Sequence, residues 1–179
     1  MSKVLVMDPD LANKIAAGEV VEKVVSVVKE LVENSIDAGA TDIKIELTDS
    51  GVKEIIVTDD GIGMDENDAV LCFSRHATSK LKTLDDLFNI ESLGFRGEAL
   101  PSIASVSNTT LQTFNGQIGT EVIVNGGVIE NVRNLEFPRG TKISVKNLFY
   151  NTPVRLKYLK NLYVELGNVV EYIDKMALS

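Results

Sequence analysis

Val28-Lys29-Glu30-Leu31-Val32-Glu33-Asn34-Ser35-Ile36-Asp37-Ala38 is the stretch on which the fold turns. Its valines suit a strand as well as a helix. Carried back to Val20, however, it places Val21, Val24, Val25, Val28, Leu31, Val32 and Ile36 on one broad apolar face at helical spacing. Its length, and Gly39 as a stop, predict a helix over Val20–Ala38. Away from the valines stands a polar edge. Glu30 and Asn34 lie one turn apart and point within about 40° of each other. Asp37 falls on nearly the same face. A carboxylate there can accept a proton from an attacking water, and an amide oxygen can ligate a hard cation such as Mg2+. Taken alone, such a pair is more often a solvated polar stripe.

Outward from this helix the periodicity changes. Towards the N-terminus, Asp8–Ala17 reads as a short helix with Gly18 as its stop. Towards the C-terminus, Asp42–Thr48 alternates, with Ile43, Ile45 and Leu47 on one face and Lys44 and Glu46 on the other, and reads as a strand. Gly51 marks a turn, and Glu54–Thr58 is the next strand. Short helices are expected at about 65–73 and 83–88, and another after Gly97, ending near Ser105. Val106–Thr113, Ile118–Val124, Gly127–Arg133 and Thr141–Leu148 read as strands, punctuated by Asn115-Gly116 and Asn125-Gly126 hairpin signals. Asn151-Thr152-Pro153 opens a last helical region, broken near Asn161. Helices first and a meander of strands later predict an α+β two-layer sandwich.

Two further stretches carry chemistry. Asp59-Asp60-Gly61-Ile62-Gly63 follows a predicted strand, so Asp59 stands at a strand end, where a carboxylate can accept from an exocyclic base amine. The glycines permit close backbone approach, although a plain Asp-Gly turn has the same composition. Gly94-Phe95-Arg96-Gly97-Glu98-Ala99-Leu100 sets two glycines before a helix, whose free N–H groups suit phosphates. Lys80, after Thr78-Ser79, offers a phosphate contact or an ordinary surface lysine. His76, the only histidine, has too little company for a zinc site. No Gly-x-x-x-x-Gly-Lys-Ser/Thr is present, which excludes a P-loop, and no Gly-x-Gly-x-x-Gly follows the first strand, which excludes a Rossmann site.

Bulk properties narrow the class. A chain of 179 residues, 44% hydrophobic and 25% charged, has the composition of one globular domain or one lobe. No apolar run approaches the roughly 20 residues of a membrane span. The start is too weakly apolar for a signal peptide, and the single cysteine, Cys72, fits a reducing compartment. We therefore expect a cytoplasmic location and no membrane partner. The net charge of −8 argues against strong DNA binding by this chain alone.

Together the motifs resemble those of the GHKL ATPases, which include type II topoisomerases, Hsp90-type chaperones, sensor histidine kinases and MutL-type mismatch-repair proteins. The finer strings Ile15–Val21, Val28–Ala40, Arg75–Lys80, Gly94–Leu100 and Leu148–Arg155 are most similar to the MutL type. The resemblance covers nearly the whole chain. It implies a Bergerat-type sandwich with a mixed, mostly antiparallel sheet and helices on one face. It also implies ATP and Mg2+ as cofactors, and ATP hydrolysis as the nucleotide switch of a mismatch-repair protein.

Carried over by residue, it implies Glu30 as general base and Asn34 as Mg2+ ligand. Asp59 and Gly63 would lie on the adenine side, with Thr141 of Arg139-Gly140-Thr141. Thr78, Ser79 and Lys80, with Gly94, Phe95, Arg96, Gly97, Glu98, Ala99 and Leu100, would form a lid over the phosphates. We expect 74–96, polar and poor in core-forming residues, to be disordered without nucleotide. The implied partners are a MutS-like mismatch sensor, nicking and unwinding enzymes, mismatched DNA through the full-length protein, and a second copy in a nucleotide-dependent homodimer.

Lys23-Val24 stands where the family commonly has Arg-Pro, a change expected to act only on the helix start. Residues 1–179 are expected to be the nucleotide-binding subdomain of a longer chain that also carries a second subdomain and a C-terminal dimerisation domain. The competing readings are another GHKL ATPase, and a nucleotide-binding interaction module without turnover.

Overall fold

The structure, a computed structural model, describes residues 15, 17, 18, 20–75, 77, 97–159 and 161–178. Its elements in chain order are α1 (Val24–Asp37), β1 (Ile43–Thr48), a 3-10 turn (Asp49–Gly51), β2 (Glu54–Asp59), α2 (Glu66–Leu71) and α3 (Ala99–Ser105). They are followed by β3 (Asn108–Phe114), β4 (Gly119–Asn125), β5 (Val128–Asn134), β6 (Gly140–Lys146), α4 (Pro153–Tyr158) and α5 (Leu162–Ala177). The predicted α+β sandwich is what forms. The sheet has six strands in the order β1-β2-β6-β3-β4-β5, and every pairing among the described residues is antiparallel.

The register arranges the sheet's inner face in three rows. Leu47, Ile55, Val145, Thr109 and Val124 stand side by side in the first. Ile45, Val57, Ile143, Leu111 and Val122 form the second. The third holds Ile43, Asp59, Thr141, Thr113 and Thr120. The first two rows are almost wholly apolar and meet the valine face of α1, where Val24, Val27, Val28 and Leu31 are essentially inaccessible. Ile103 and Ala104 of α3 close the same core. Burial of this apolar surface is the main term favouring the fold. The third row is polar, at the end of the sheet where β2 and β3 finish.

The outer face stays hydrophilic. There Gln112 donates to Glu121 at 2.7 Å, and Arg133 donates to the same carboxylate at 2.6 Å, which holds Glu121 below the usual carboxylate range.

Local signals explain most boundaries. α1 starts at Val24, not Val20, because Lys23 is extended. It stops where expected: Gly39 has φ +69°, its N–H donates to Ile36, and the Ala40 N–H reaches back to Ser35. Asn161 separates α4 from α5 by accepting from the N–H groups of Tyr163 and Val164. Two further expectations fail: Ile36, placed on the apolar face of α1, is exposed, and the stop at Gly18 is absent. Gly18 does not stop a helix: residues 17, 18 and 20 are all helical, and the Val21 N–H donates to Ala17 at 2.7 Å. The glycine serves packing instead, because the Arg155 guanidinium fills the space a side chain at residue 18 would need. The helix expected at 83–88 lies outside the described residues.

Candidate functional site

The site grows from the polar third row. Asp59 ends β2, and its carboxylate is held on three sides. Oδ1 accepts from the N–H groups of Gly61 at 3.0 Å and Thr141 at 3.2 Å, and Oδ2 accepts from the Ser35 hydroxyl at 2.8 Å. Each carboxylate oxygen offers two lone-pair sites. Oδ1 is therefore occupied, while Oδ2 retains one acceptor position. An acceptor fixed in this way, partly exposed at a sheet end, suits a planar base amine.

Thr141 and Thr113 extend the row. Thr113 donates to the Gly140 carbonyl at 3.1 Å, accepts from the Met64 N–H at 2.9 Å, and sits 3.0 Å from the Thr141 hydroxyl. A hydroxyl has one donor and two acceptor sites, so Thr113 is fully used. It joins the turn after β2 to β3 and β6. The structure brings Asp59, Gly63 and Thr141, all singled out in the sequence, together with Thr113 and Ser35, which were not. The only signals for those two were a Thr at a strand end and a Ser beside Asn34.

The turn itself needs its glycines. Gly63 has φ +69°, and a side chain there would strike the Phe114 carbonyl. Gly61 lies against the end of α1: a Cβ would come within 2.9 Å of the Ala38 carbonyl oxygen, while the Ile62 N–H donates to that carbonyl at 3.0 Å. Asp60, one residue from Asp59, does something different. It turns away and accepts from the Thr41 hydroxyl at 2.6 Å and from the N–H groups of Thr41 at 2.7 Å and Asp42 at 2.9 Å. The Thr41 hydroxyl first, and then those amides, pull its carboxyl down to about 2.

Glu30 and Asn34 lie on α1, partly buried, and both have interaction partners, as does Asp37. Ser35, next to Asn34, carries the bond to Asp59, so the helix bearing the Glu–Asn pair is tied to the polar row. No cluster of three or more His, Cys, Asp or Glu suited to a metal occurs among the described residues. A cation held by Asn34 would therefore take its other ligands from phosphate oxygens and water, which is the habit of Mg2+.

Of the Gly94–Leu100 stretch, Gly97 to Leu100 are described. Gly97 has φ +60° and sits against the Ala77 backbone, where a side chain would meet the carbonyl. Arg75 lies 3.9 Å from Glu98. Ala99 and Leu100 open α3. Thr78, Ser79, Lys80, Gly94, Phe95 and Arg96, with His76, lie outside the described residues. The Leu148–Arg155 string contributes packing and hydrogen bonds. Leu148 and Phe149 are buried, Tyr150 donates to Asn125 at 2.8 Å, and Asn151 donates to the Ser105 carbonyl at 2.8 Å.

This fold and site define a nucleotide-binding class. Residues 22–150 match the family described as Histidine kinase-, DNA gyrase B-, and HSP90-like ATPase, and the chain belongs to that family. It is 55% identical to the DNA mismatch repair protein MutL of Streptococcus agalactiae serotype Ia and 51% identical to that of Bacillus pumilus. In each case the match takes in 100% of this chain and 28% of the relative, so the chain spans little more than a quarter of these curated relatives. Among solved structures, the ADP-complexed MutL ATPase domain of Aquifex aeolicus superimposes with a TM-score of 0.69 at 36% identity, over 89% of this chain and 56% of that one. The N-terminal domain of a DNA repair protein superimposes at 0.76 with 30% identity, over 90% of this chain and 47% of that one. The sandwich is thus of the Bergerat type. No helix among the described residues is long and apolar enough to cross a membrane.

Proposed function

We propose that this chain binds Mg-ATP and that, in the longer protein, ATP hydrolysis serves as the nucleotide switch of a MutL-like mismatch-repair ATPase. The observation that carries the reading is the Asp59 carboxylate. It is fixed by Ser35, Gly61 and Thr141 and retains one acceptor position on Oδ2, at the foot of the helix bearing Glu30 and Asn34. That acceptor takes the adenine amine. Gly63 lets the backbone approach the base, and Thr141 closes its far side.

Asn34 holds Mg2+ through its amide oxygen, and the ion supplies charge neutralisation on the phosphates. Glu30, one turn earlier on the same helix, accepts a proton from the water that attacks the terminal phosphorus, while the bond from that phosphorus to the bridging oxygen breaks and ADP leaves. Gly97, Glu98, Ala99 and Leu100 lie on the phosphate side with the N-terminus of α3. Thr78, Ser79, Lys80 and Gly94 to Arg96 complete the phosphate-contacting set.

In this reading residues 1–179 are the nucleotide-binding subdomain. The full-length protein is cytoplasmic, dimerises with nucleotide, and acts between a MutS-like sensor and nicking and unwinding enzymes. DNA is met through the longer protein, because this segment's charge of −8 opposes strong binding to the DNA backbone, while local donors and Mg2+ still hold the phosphates of ATP.

Calorimetric titration of a Mg-bound non-hydrolysable ATP analogue tests the site. Binding is expected for the unmutated chain and is lost in Asp59→Ala. Glu30→Ala separates an enzyme from a module without turnover. It retains binding and abolishes hydrolysis in the first case, and changes nothing measurable in the second. An unmutated chain that binds no nucleotide, alone or extended by the following segment, overturns the proposal.

A further inference from the structure

The helix that carries Glu30 and Asn34 begins without the usual support. α1 has no side-chain cap at Lys23 and no acidic residue in its first turn. The leading N–H groups of a helix have no partners within it, and its N-terminus is electropositive. The missing partner comes from the other end of the sequence. Glu165, on α5, is 6% exposed, and its Oε2 accepts from the Val24 N–H at 3.3 Å. A carboxylate is rarely buried to this degree unless something holds it.

The two helices also pack together further along. Tyr172 is as far beyond Glu165 as Leu31 is beyond Val24. At about 1.5 Å per residue, both spans are about 10 Å. Two helices running side by side in the same direction from the Glu165–Val24 contact therefore bring Tyr172 level with Leu31, between Glu30 and Glu33. The phenol behaves accordingly. Burial first, and then the charges of Glu33 and Glu30, push it up to about 12. Val169, between Glu165 and Tyr172, is buried in the shared core. α5 thus packs against α1, with Glu165 at its first turn and Tyr172 near enough to Glu33 and Glu30 for their charges to act on its phenol.

We infer that Glu165 is a positioning residue for the nucleotide site: by anchoring the first turn of α1 it sets where Glu30 and Asn34 stand along the helix axis. Ser35 fixes the other end of α1 to Asp59. The helix is then held at both ends, and the Asn34 amide is placed at a set height above the adenine side. The inference rests on the assignment of Asn34 proposed above.

The test compares the unmutated chain with Glu165→Ala and Glu165→Gln, using ADP with and without Mg2+. Two quantities are read: amide hydrogen exchange over residues 24–30, and the factor by which the metal strengthens nucleotide binding. In Glu165→Ala the first turn of α1 exchanges faster and the metal-dependent gain falls about tenfold, the usual scale for losing an orienting partner behind a metal ligand. Affinity without metal stays with Asp59 and is unchanged. Glu165→Gln, whose amide oxygen can accept the same bond, restores most of the gain. A merely structural role would weaken binding equally with and without metal, and that result overturns the inference. So does a gain that survives in Glu165→Ala while α1 exchanges faster. An unmutated chain that binds ADP without any metal-dependent gain removes the role of Asn34, and the inference with it. One that binds no nucleotide at all removes the reading of the whole site, and it is recognised before any variant is compared.

Discussion

The Ser35 hydroxyl donates to Oδ2 of Asp59 across 2.8 Å and lies 3.1 Å from the Leu31 carbonyl. It has one hydrogen for two acceptors, and the charged one forms the stronger bond. This single proton couples the last turn of α1 to the end of β2. Ser35→Ala should cost about 1.5–3 kcal/mol of stability, the usual worth of a bond to a charged group. It should also weaken nucleotide binding, though less than Asp59→Ala does, because Gly61 and Thr141 still hold Oδ1. Thermal melting and calorimetry of the two variants check both statements. Unchanged affinity in Ser35→Ala would show that Asp59 needs no help from the helix.

Two threonines of the polar row make opposite predictions. Thr113 uses all its hydrogen-bonding capacity, and Thr113→Val leaves the Met64 N–H and the Gly140 carbonyl short of a partner. That should cost about 1–3 kcal/mol, the penalty for polar groups left unsatisfied. Thr120 is equally buried, but its hydroxyl finds no partner among the described residues. Thr120→Val replaces an unsatisfied group by a methyl of similar shape and should be neutral or stabilising. Denaturant melts of the pair decide it. Equal losses in both would mean that Thr120 has a partner, such as an ordered water.

The contrast shows what the sequence could and could not reveal. Strand alternation from Ile43 to Leu47 and the Asn-Gly turns were legible because they are local. So was Asp59, which sits at a strand end beside two glycines. The place of β6 was not. A meander runs in order through β3, β4 and β5, but β6 returns to lie between β2 and β3. Only that crossover puts Thr141 beside Asp59 and Thr113 beside Thr141. Ser35 and Glu165 were hidden for the same reason, since their partners are distant in sequence. Gly18 misled because a glycine that admits an arginine looks, in sequence, like one that ends a helix.

Cys72 should be chemically quiet. Its thiol donates to the Ala69 carbonyl at 3.2 Å, and burial first, with help from Asp68, pushes it up to about 12. The thiolate is the reactive form, and an ordinary cysteine ionises near about 8.5. At pH 8 the folded chain should therefore react with a thiol reagent about a thousandfold more slowly than the denatured chain. Rapid modification of the native protein would show that the end of α2 opens on the timescale of the assay.

Asp59 and Asp60 are neighbours with separable roles, and pH separates them. Asp60 is tied to the Thr41 hydroxyl and to the amides of Thr41 and Asp42, which lowers its carboxyl from 3.8 to about 2. The folded form thus releases this proton at lower pH than the unfolded chain. Between the two values the unfolded state holds more protons. The stability due to Asp60 is therefore complete above 3.8, shrinks as pH falls, and is gone below about 2. Asp60→Asn should remove that acid-side slope and leave nucleotide affinity at neutral pH unchanged. Asp59→Asn should do the reverse to affinity, because an amide nitrogen facing the adenine amine sets donor against donor. A carbon-detected titration of the Asp60 side chain gives the midpoint directly. A midpoint near that of a free carboxylate, or an Asp60→Asn chain that no longer binds nucleotide, would mean that the two carboxylates act together and that Asp60 belongs to the site.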